Sequence, residues 1–316
     1  VTLRDYQVET IDKLRKAYRR GYKRPLLVSP VASGKTVMFA HITEGAAKRG
    51  NRVMILVHRK ELLEQCSRAL WNIGVPHGVI APKYSETIDH VQVASVGTVI
   101  RRLDRIIPPD LIIIDEAHHV AARSWEVIVT HFPMARLLGV TATPCRLDGK
   151  GLAKYYDAMV TGPSVQELIA QGFLSQPVVY APKNEVDFSG LKSRYGDFEK
   201  GALDALMDTP KITGDAVAHY KKICPGVPAI AFCCSIKHAE HTAEKFREAG
   251  ILSRSVDGTM NTRDREACIN GLANGDIHVL TSCEIVSEGT DIPVVGAAIL
   301  LRPTQSLALY IQQVGR

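Results

Sequence analysis

Residues 111 to 118 read Leu-Ile-Ile-Ile-Asp-Glu-Ala-His, an unbroken apolar run that ends in two adjacent carboxylates. Four consecutive Leu and Ile residues lack the alternation of a half-exposed strand and suit one buried on both faces of a parallel sheet. Such a sheet needs crossover helices on both sides, so this stretch already predicts an α/β fold. Asp115 and Glu116 would emerge at the carboxyl edge, where open α/β sheets bind ligands. The pair reads as a Walker B motif, with Asp115 placed to hold a hydrated magnesium ion and Glu116 to orient an attacking water. A buried strand closing in a solvated acidic turn would carry the same letters, so a second element has to decide.

That element lies upstream. Leu26-Leu27-Val28 reads as a short buried strand running into Ser29-Pro-Val-Ala-Ser33-Gly34-Lys35-Thr36 and a helical segment to Arg49. Gly34 permits close backbone approach to a phosphate, Lys35 supplies a cation for the β and γ phosphates, and Thr36 supplies a hydroxyl for magnesium. Ser29 and Ala32 depart from the usual pattern, which has glycine at the first position and, in a helicase form, at the second. A phosphate loop after one strand and an acidic end on another predict a nucleoside-triphosphate site, with ATP and Mg2+ as its occupants.

The 316 residues suffice for about two domains with cores of their own. With 46% hydrophobic and 23% charged residues, disorder is excluded, and no apolar run approaches the ~20 residues of a membrane span. With no secretion or membrane signal in view, the expected setting is the cytoplasm or nucleoid. Seven cysteines without C-x-x-C spacing support neither a disulfide framework nor a zinc ribbon, and read as reduced, mostly buried thiols. A net charge of +6 is compatible with a polyanionic partner without establishing one. The chain stops directly after a helix-like segment, and the sequence is expected to be part of a longer one.

Basic residues recur after strands. His58-Arg59-Lys60 follows the Val53 to Val57 run at the start of a helix, and Arg101 and Arg102 follow a strand ending at Ser95. Each group alone suits a solvated surface; their shared position predicts a track for nucleic-acid phosphates. Thr141-Ala142-Thr143, after the strand Leu137 to Val140, forms a polar turn expected beside the acidic pair. A break at Thr161-Gly162-Pro163-Ser164 sets the expected domains at 1–162 and 163–316. Residues 183 to 209 are polar, with Phe188, Tyr195 and Phe198 scattered among charges, and read as an inserted short helix and loop of no legible role. From Lys211 helices and strands alternate again, which predicts a second parallel sheet without a phosphate loop or acidic strand.

Assembled, these residues resemble a superfamily 2 helicase or translocase motor over nearly the whole chain. Leu3-Arg4-Asp5-Tyr6-Gln7 matches the Q motif, Pro30 to Thr36 motif I, Asp115-Glu-Ala-His118 the DEAH form of motif II, and Thr141 to Thr143 motif III. Thr281 to Pro293 matches motif V, and Gln312, Gly315 and Arg316 match the start of motif VI. The resemblance implies two tandem RecA-like domains, each a largely parallel sheet flanked by helices, that hydrolyse ATP. It assigns Arg4 and Gln7 to the base, Gly289 and Asp291 to the nucleotide, Thr281 to the nucleic-acid backbone, and His118 to coupling with the domain interface. It also implies that Gln312 and Arg316 act in catalysis from the facing domain, Arg316 on charge developing at the γ-phosphate, and that a further arginine lies three residues beyond. The segment Leu300 to Tyr310 followed by Gln-Gln-Val-Gly-Arg is similar to RadD-like DNA-repair helicases and to type I and type III restriction motors. An ATP-driven DNA helicase or translocase in repair, recombination or restriction is the expected function. An RNA-dependent ATPase, or a nucleic-acid-binding module that holds ATP as a structural ligand, stands beside it.

Overall fold

A computed structural model describes residues 2–144, 151–181, 186–194, 197–283 and 292–315. The chain divides into two compact units, Val1–Val178 and Val179–Arg316.

In the first unit, α1 (Asp5–Arg19) precedes β1 (Pro25–Val28) and α2 (Lys35–Ala47). Next come β2 (Val53–Val57), α3 (Lys60–Asn72), β3 (Gly78–Ile80), β4 (Val91–Ser95) and a single turn α4 (Val96–Val99). After β5 (Leu111–Asp115) follow α5 (Arg123–His131), β6 (Arg136–Thr141), β7 (Ala158–Thr161) and α6 (Val165–Ala170). The seven strands are all parallel, in the order β3-β4-β2-β5-β6-β1-β7. The apolar run of β5 is central, and its residues divide between two cores. Leu111 and Ile113 pack with the α1, α2 and α3 side, while Ile112 and Ile114 pack with Trp125, Ile128 and Phe132. Each such buried side chain is worth roughly 1.5–3 kcal/mol, which is why the run needs no polar alternation.

Two strands escape sequence patterning. β3 is three residues long, and β7 is an edge strand whose only buried residue is Val160. The expected boundary at 162 falls before the division between the units, because α6 and the residues after it pack on the first unit: Leu168 is fully buried and Phe173 lies against Tyr6.

The second unit carries a small antiparallel hairpin, β8 (Ser193–Arg194) and β9 (Asp197–Phe198), then α7 (Lys200–Met207) and α8 (Pro210–Ile223). The alternating part is β10 (Ala229–Phe232), α9 (Ile236–Glu248), β11 (Ser253–Val256), α10 (Thr262–Asn274), β12 (Val279–Ser282), β13 (Ala297–Leu300) and α11 (Leu307–Val314). Its four strands are again all parallel, in the order β11-β12-β10-β13. The same division of faces holds, with Ala229, Ala231 and Val279 in one core and Ile230, Phe232 and Leu280 in the other. Among the described residues six cysteines are free thiols; burial pushes the thiols of Cys66 and Cys233 well up, which keeps them protonated.

Candidate active site

The carboxyl ends of β1, β6 and β5 are neighbours, with Val28 beside Thr141 and Val140 beside Asp115. Ser29 N donates to Thr141 O at 3.0 Å, so the loop after β1 begins locked to the end of β6. It then passes through Ala32 and Gly34, whose φ angles are 60° and 74°. A Cβ on Gly34 would lie 2.4 Å from Gln7 Nε2, so a side chain there would have to displace the Gln7 amide and would also meet a left-handed backbone. Ala32 adopts the left-handed conformation at a cost of about 1–2 kcal/mol, the physical reason a glycine is expected there.

Ser29 is accommodated by its surroundings. Its hydroxyl lies 2.8 Å from that of Ser33, which donates to Pro30 O at 2.7 Å, and both serines are buried. The room comes from Gly162 of the neighbouring chain segment, where a Cβ would stand 2.8 Å from Ser29 Oγ. Lys35 Nζ donates to Pro30 O at 2.9 Å, and Thr36 is half-buried in the first turn of α2. Gln7 is also tied inward: its Oε1 accepts from Arg4 N at 2.9 Å and its Nε2 donates to Ser33 O at 3.2 Å. Tyr6 Oη donates to the same carbonyl at 2.9 Å, and the Arg4 guanidinium stands 4.5 Å over the Phe173 ring. Tyr6 stands within the Q motif without an assigned role and Phe173 lies outside every motif; both enter the site through these contacts.

Asp115 is almost wholly buried, and its Oδ1 accepts from Glu116 N at 3.0 Å. Burial pushes its pKa up to about 7; the neighbouring Glu116 charge adds to the shift, and Lys35 and His58 oppose it. A buried carboxylate beside a second acid is short of positive charge, and Asp115 with the Thr36 hydroxyl offers hard oxygen donors, so the residues fit a magnesium ion. Glu116 holds φ 51°, ψ 56°, a left-handed backbone that costs a bulky residue of order 1–3 kcal/mol and turns the chain sharply off the strand.

The polar turn expected beside the acidic pair is there. His118 Nδ1 lies 3.4 Å from Thr141 Oγ1 and 3.5 Å from Glu116 Oε2. Thr141 Oγ1 donates to Thr143 O at 3.0 Å and accepts from Thr143 N at 3.1 Å. Its proton being used there, the network assigns the proton between Thr141 and His118 to Nδ1. Below them the Tyr156 ring covers Gly139, where a Cβ would meet it at 2.4 Å, and Tyr156 Oη approaches Ala117 O at 3.5 Å.

The other assigned residues divide. His58 is brought toward the acids instead of standing apart on a phosphate track, its ring 4.4 Å from that of His119, which lies 4.3 Å from His118. Arg59 caps α3, and Lys60 pairs with Glu64 at 3.3 Å. Ser95 ends β4, Arg101 is exposed, and Arg102 pairs with Glu86 at 3.3 Å. Thr281, assigned to the nucleic-acid backbone, is fully buried and its hydroxyl donates to Ala239 O at 2.7 Å; strand alternation points it at α9, not toward solvent. Gln312 is buried in α11. Gly289, Asp291 and Arg316 lie outside the described residues.

The type III restriction enzyme res subunit family matches residues 1–146, and the helicase conserved C-terminal domain matches residues 216–316. A 51.5 kDa protein of a Lactococcus phage is 35% identical over 91% of this chain and 61% of its own length. The putative ATP-dependent helicase IRC3 of Saccharomyces cerevisiae is 33% identical over 99% of this chain and 49% of its own. The chain thus spans about half to three fifths of the length of these curated relatives. Among solved structures, S. cerevisiae Dbp5 bound to RNA and ADP BeF3 matches 99% of this chain and 84% of that one, with a TM-score of 0.60 at 17% identity. The chain belongs to the superfamily 2 helicases, with a two-sheet RecA-like fold, and is related to the motor subunits of restriction enzymes.

Proposed function

We propose that this protein is an ATP-driven motor that moves along DNA through contacts to the phosphate backbone. The observation that carries the reading is the convergence of Lys35, Asp115, Glu116, His118 and Thr141 on the adjacent carboxyl ends of β1, β5 and β6. Lys35 and the loop from Ser33 to Thr36 bind the phosphates of ATP, while Arg4 and the second amide hydrogen of Gln7 face the base. Thr36 and, through water, Asp115 would hold magnesium, which would supply positive charge at the phosphate oxygens. Glu116 orients the water whose oxygen attacks the γ-phosphorus as the bond to ADP breaks. His118 and the Thr141–Thr143 turn respond to the loss of that phosphate, since Glu116 and Thr141 share one histidine proton. Turnover draws also on Gln312 and Arg316, and nucleotide binding on Gly289 and Asp291.

DNA is favoured by the match to the type III restriction enzyme res subunit family and by the likeness to a type I restriction enzyme endonuclease subunit. Ser95 ends β4, and Arg59, Lys60 and Arg101 follow β2 and β4 at the same sheet edge, a placement suited to phosphates, not base edges. The test is a pair of variants. Lys35→Ala should lose ATP binding and hydrolysis, and Glu116→Gln should keep binding while hydrolysis falls on the order of a hundredfold or more. Equal hydrolysis by the wild type and Glu116→Gln would remove Glu116 from the reaction.

A further inference from the structure

The polar segment before the second sheet, illegible in the sequence, grips the lead-in to α11 by one carboxylate. Asp197 Oδ1 accepts three hydrogen bonds: from Phe198 N at 3.0 Å, from Thr304 Oγ1 at 3.0 Å and from Gln305 N at 2.9 Å. Its other oxygen lies 3.6 Å from Arg302 Nη2, with both side chains largely buried. From the facing strand of the hairpin, Ser193 Oγ donates to Gln305 Oε1 at 2.7 Å.

The chain of bonds continues into the helix. Because the Thr304 hydroxyl proton is directed at Asp197, its oxygen is free to accept from Ser306 N at 3.0 Å. Ser306 is the N-cap of α11, its hydroxyl accepting from Leu309 N at 3.4 Å. One carboxylate thus orders, through Thr304, the residue that caps the helix, and such linked bonds reinforce one another. The hairpin itself is not loose. Phe188 and Phe198 stack at 5.8 Å, and the patch they join includes Leu203, Met207 and Cys234. Cys234 in turn reaches Leu301 O from the end of β10. Residues 301–305 are therefore held from the sheet on one side and from the hairpin on the other.

We propose that the hairpin is a brace that sets the position of α11, and that Asp197 is a positioning residue for turnover. The second half of this statement rests on the reading above that Gln312 and Arg316, carried by or just beyond α11, act in hydrolysis; the first half does not.

Three variants of the full chain test it: Asp197→Ala, Asp197→Asn, which keeps the accepting Oδ1, and Thr304→Val, which keeps the shape but breaks the link to Ser306. The readouts are amide hydrogen exchange across the whole chain and steady-state ATP hydrolysis, with Lys35→Ala as the control for turnover. Asp197→Ala and Thr304→Val should speed exchange in residues 304–315 on the order of tenfold while exchange in the sheet strands is unchanged. They should lower kcat by a similar factor with KM for ATP unchanged, and Asp197→Asn should restore most of both. Unchanged exchange in α11 overturns the brace. Faster exchange with unchanged Lys35-dependent kcat overturns the positioning role. If no hydrolysis depends on Lys35, the motor reading fails instead, and the exchange data still decide whether the brace exists.

Discussion

Two threonines near the carboxyl ends of inner parallel strands, Thr141 on β6 and Thr281 on β12, are both fully buried, yet their hydroxyls do different things. Thr141 bonds back to the turn that follows it and meets His118 of the acidic segment. Thr281 bonds a helical carbonyl of α9. The difference is one of strand parity. Thr141 is out of phase with Leu138 and Val140 and faces the side of the sheet where the chain after β5 turns; Thr281 is in phase with Val279 and faces the helix. A polar residue at a strand end is thus a site residue only if the face it points to carries the chemistry. In the first sheet that face meets His118 and, through it, Glu116; in the second it meets a packed helix.

The largest expected consequence concerns the carboxyl group buried at the end of β5. In the protein without nucleotide or metal, Asp115 has a raised pKa, so the folded state holds its proton to higher pH than the unfolded chain does. Stability from this group is therefore full below the ordinary value of 3.8 and falls as pH rises through the window up to about 7. Asp115→Asn should abolish ATP hydrolysis while raising the melting temperature at pH 8 by a few degrees and flattening its pH dependence between those values. A variant less stable than the wild type at pH 8, measured without nucleotide, would mean that Asp115 is not held at a cost.

The threonine pair gives the next effect. Thr281→Val removes the side-chain bond to the Ala239 carbonyl and should destabilise the second unit by about 1 kcal/mol, with DNA affinity unchanged. Thr141→Val should lower the DNA-stimulated hydrolysis rate by more than the basal rate. Denaturant melts and binding titrations on both variants check this; a loss of DNA affinity in Thr281→Val without a loss of stability would reverse the two assignments.

A smaller contrast lies among the arginines. Arg101 is exposed, whereas Arg102 is engaged with Glu86. Arg101→Ala should therefore reduce DNA affinity several-fold and flatten its salt dependence by about one counterion, with less effect from Arg102→Ala. Equal slopes in a salt titration would show that the Glu86 pair opens on binding. The smallest effect is at Ala32, where glycine would relieve the left-handed backbone but add freedom to the unfolded chain; the net gain should not exceed about 1 kcal/mol.

What could be read before the structure was whatever repeats at strand spacing or stands in a phosphate-binding pattern. The run ending in Asp115-Glu116, the loop to Lys35-Thr36 and the Thr141 turn all occupy the expected edge. What could not be read depends on partners distant in sequence. Ser29 fits its loop only because Gly162 lacks a side chain, Gln7 is used to clamp Ser33, and His58 is drawn to His119. The inward turn of Thr281 follows from strand alternation, since it stands two residues after the core residue Val279. Asp197 was not visible at all, because its partners Thr304 and Gln305 lie more than a hundred residues away.

The central claim is tested most directly by the steady-state ATP hydrolysis rate at saturating ATP, measured with single-stranded DNA, duplex DNA, RNA and no nucleic acid, each with Lys35→Ala beside the wild type. The account predicts hydrolysis that DNA stimulates strongly, that RNA stimulates less, and that the Lys35 variant loses throughout. A rate that is the same with and without nucleic acid, or that survives the loss of Lys35, would contradict it.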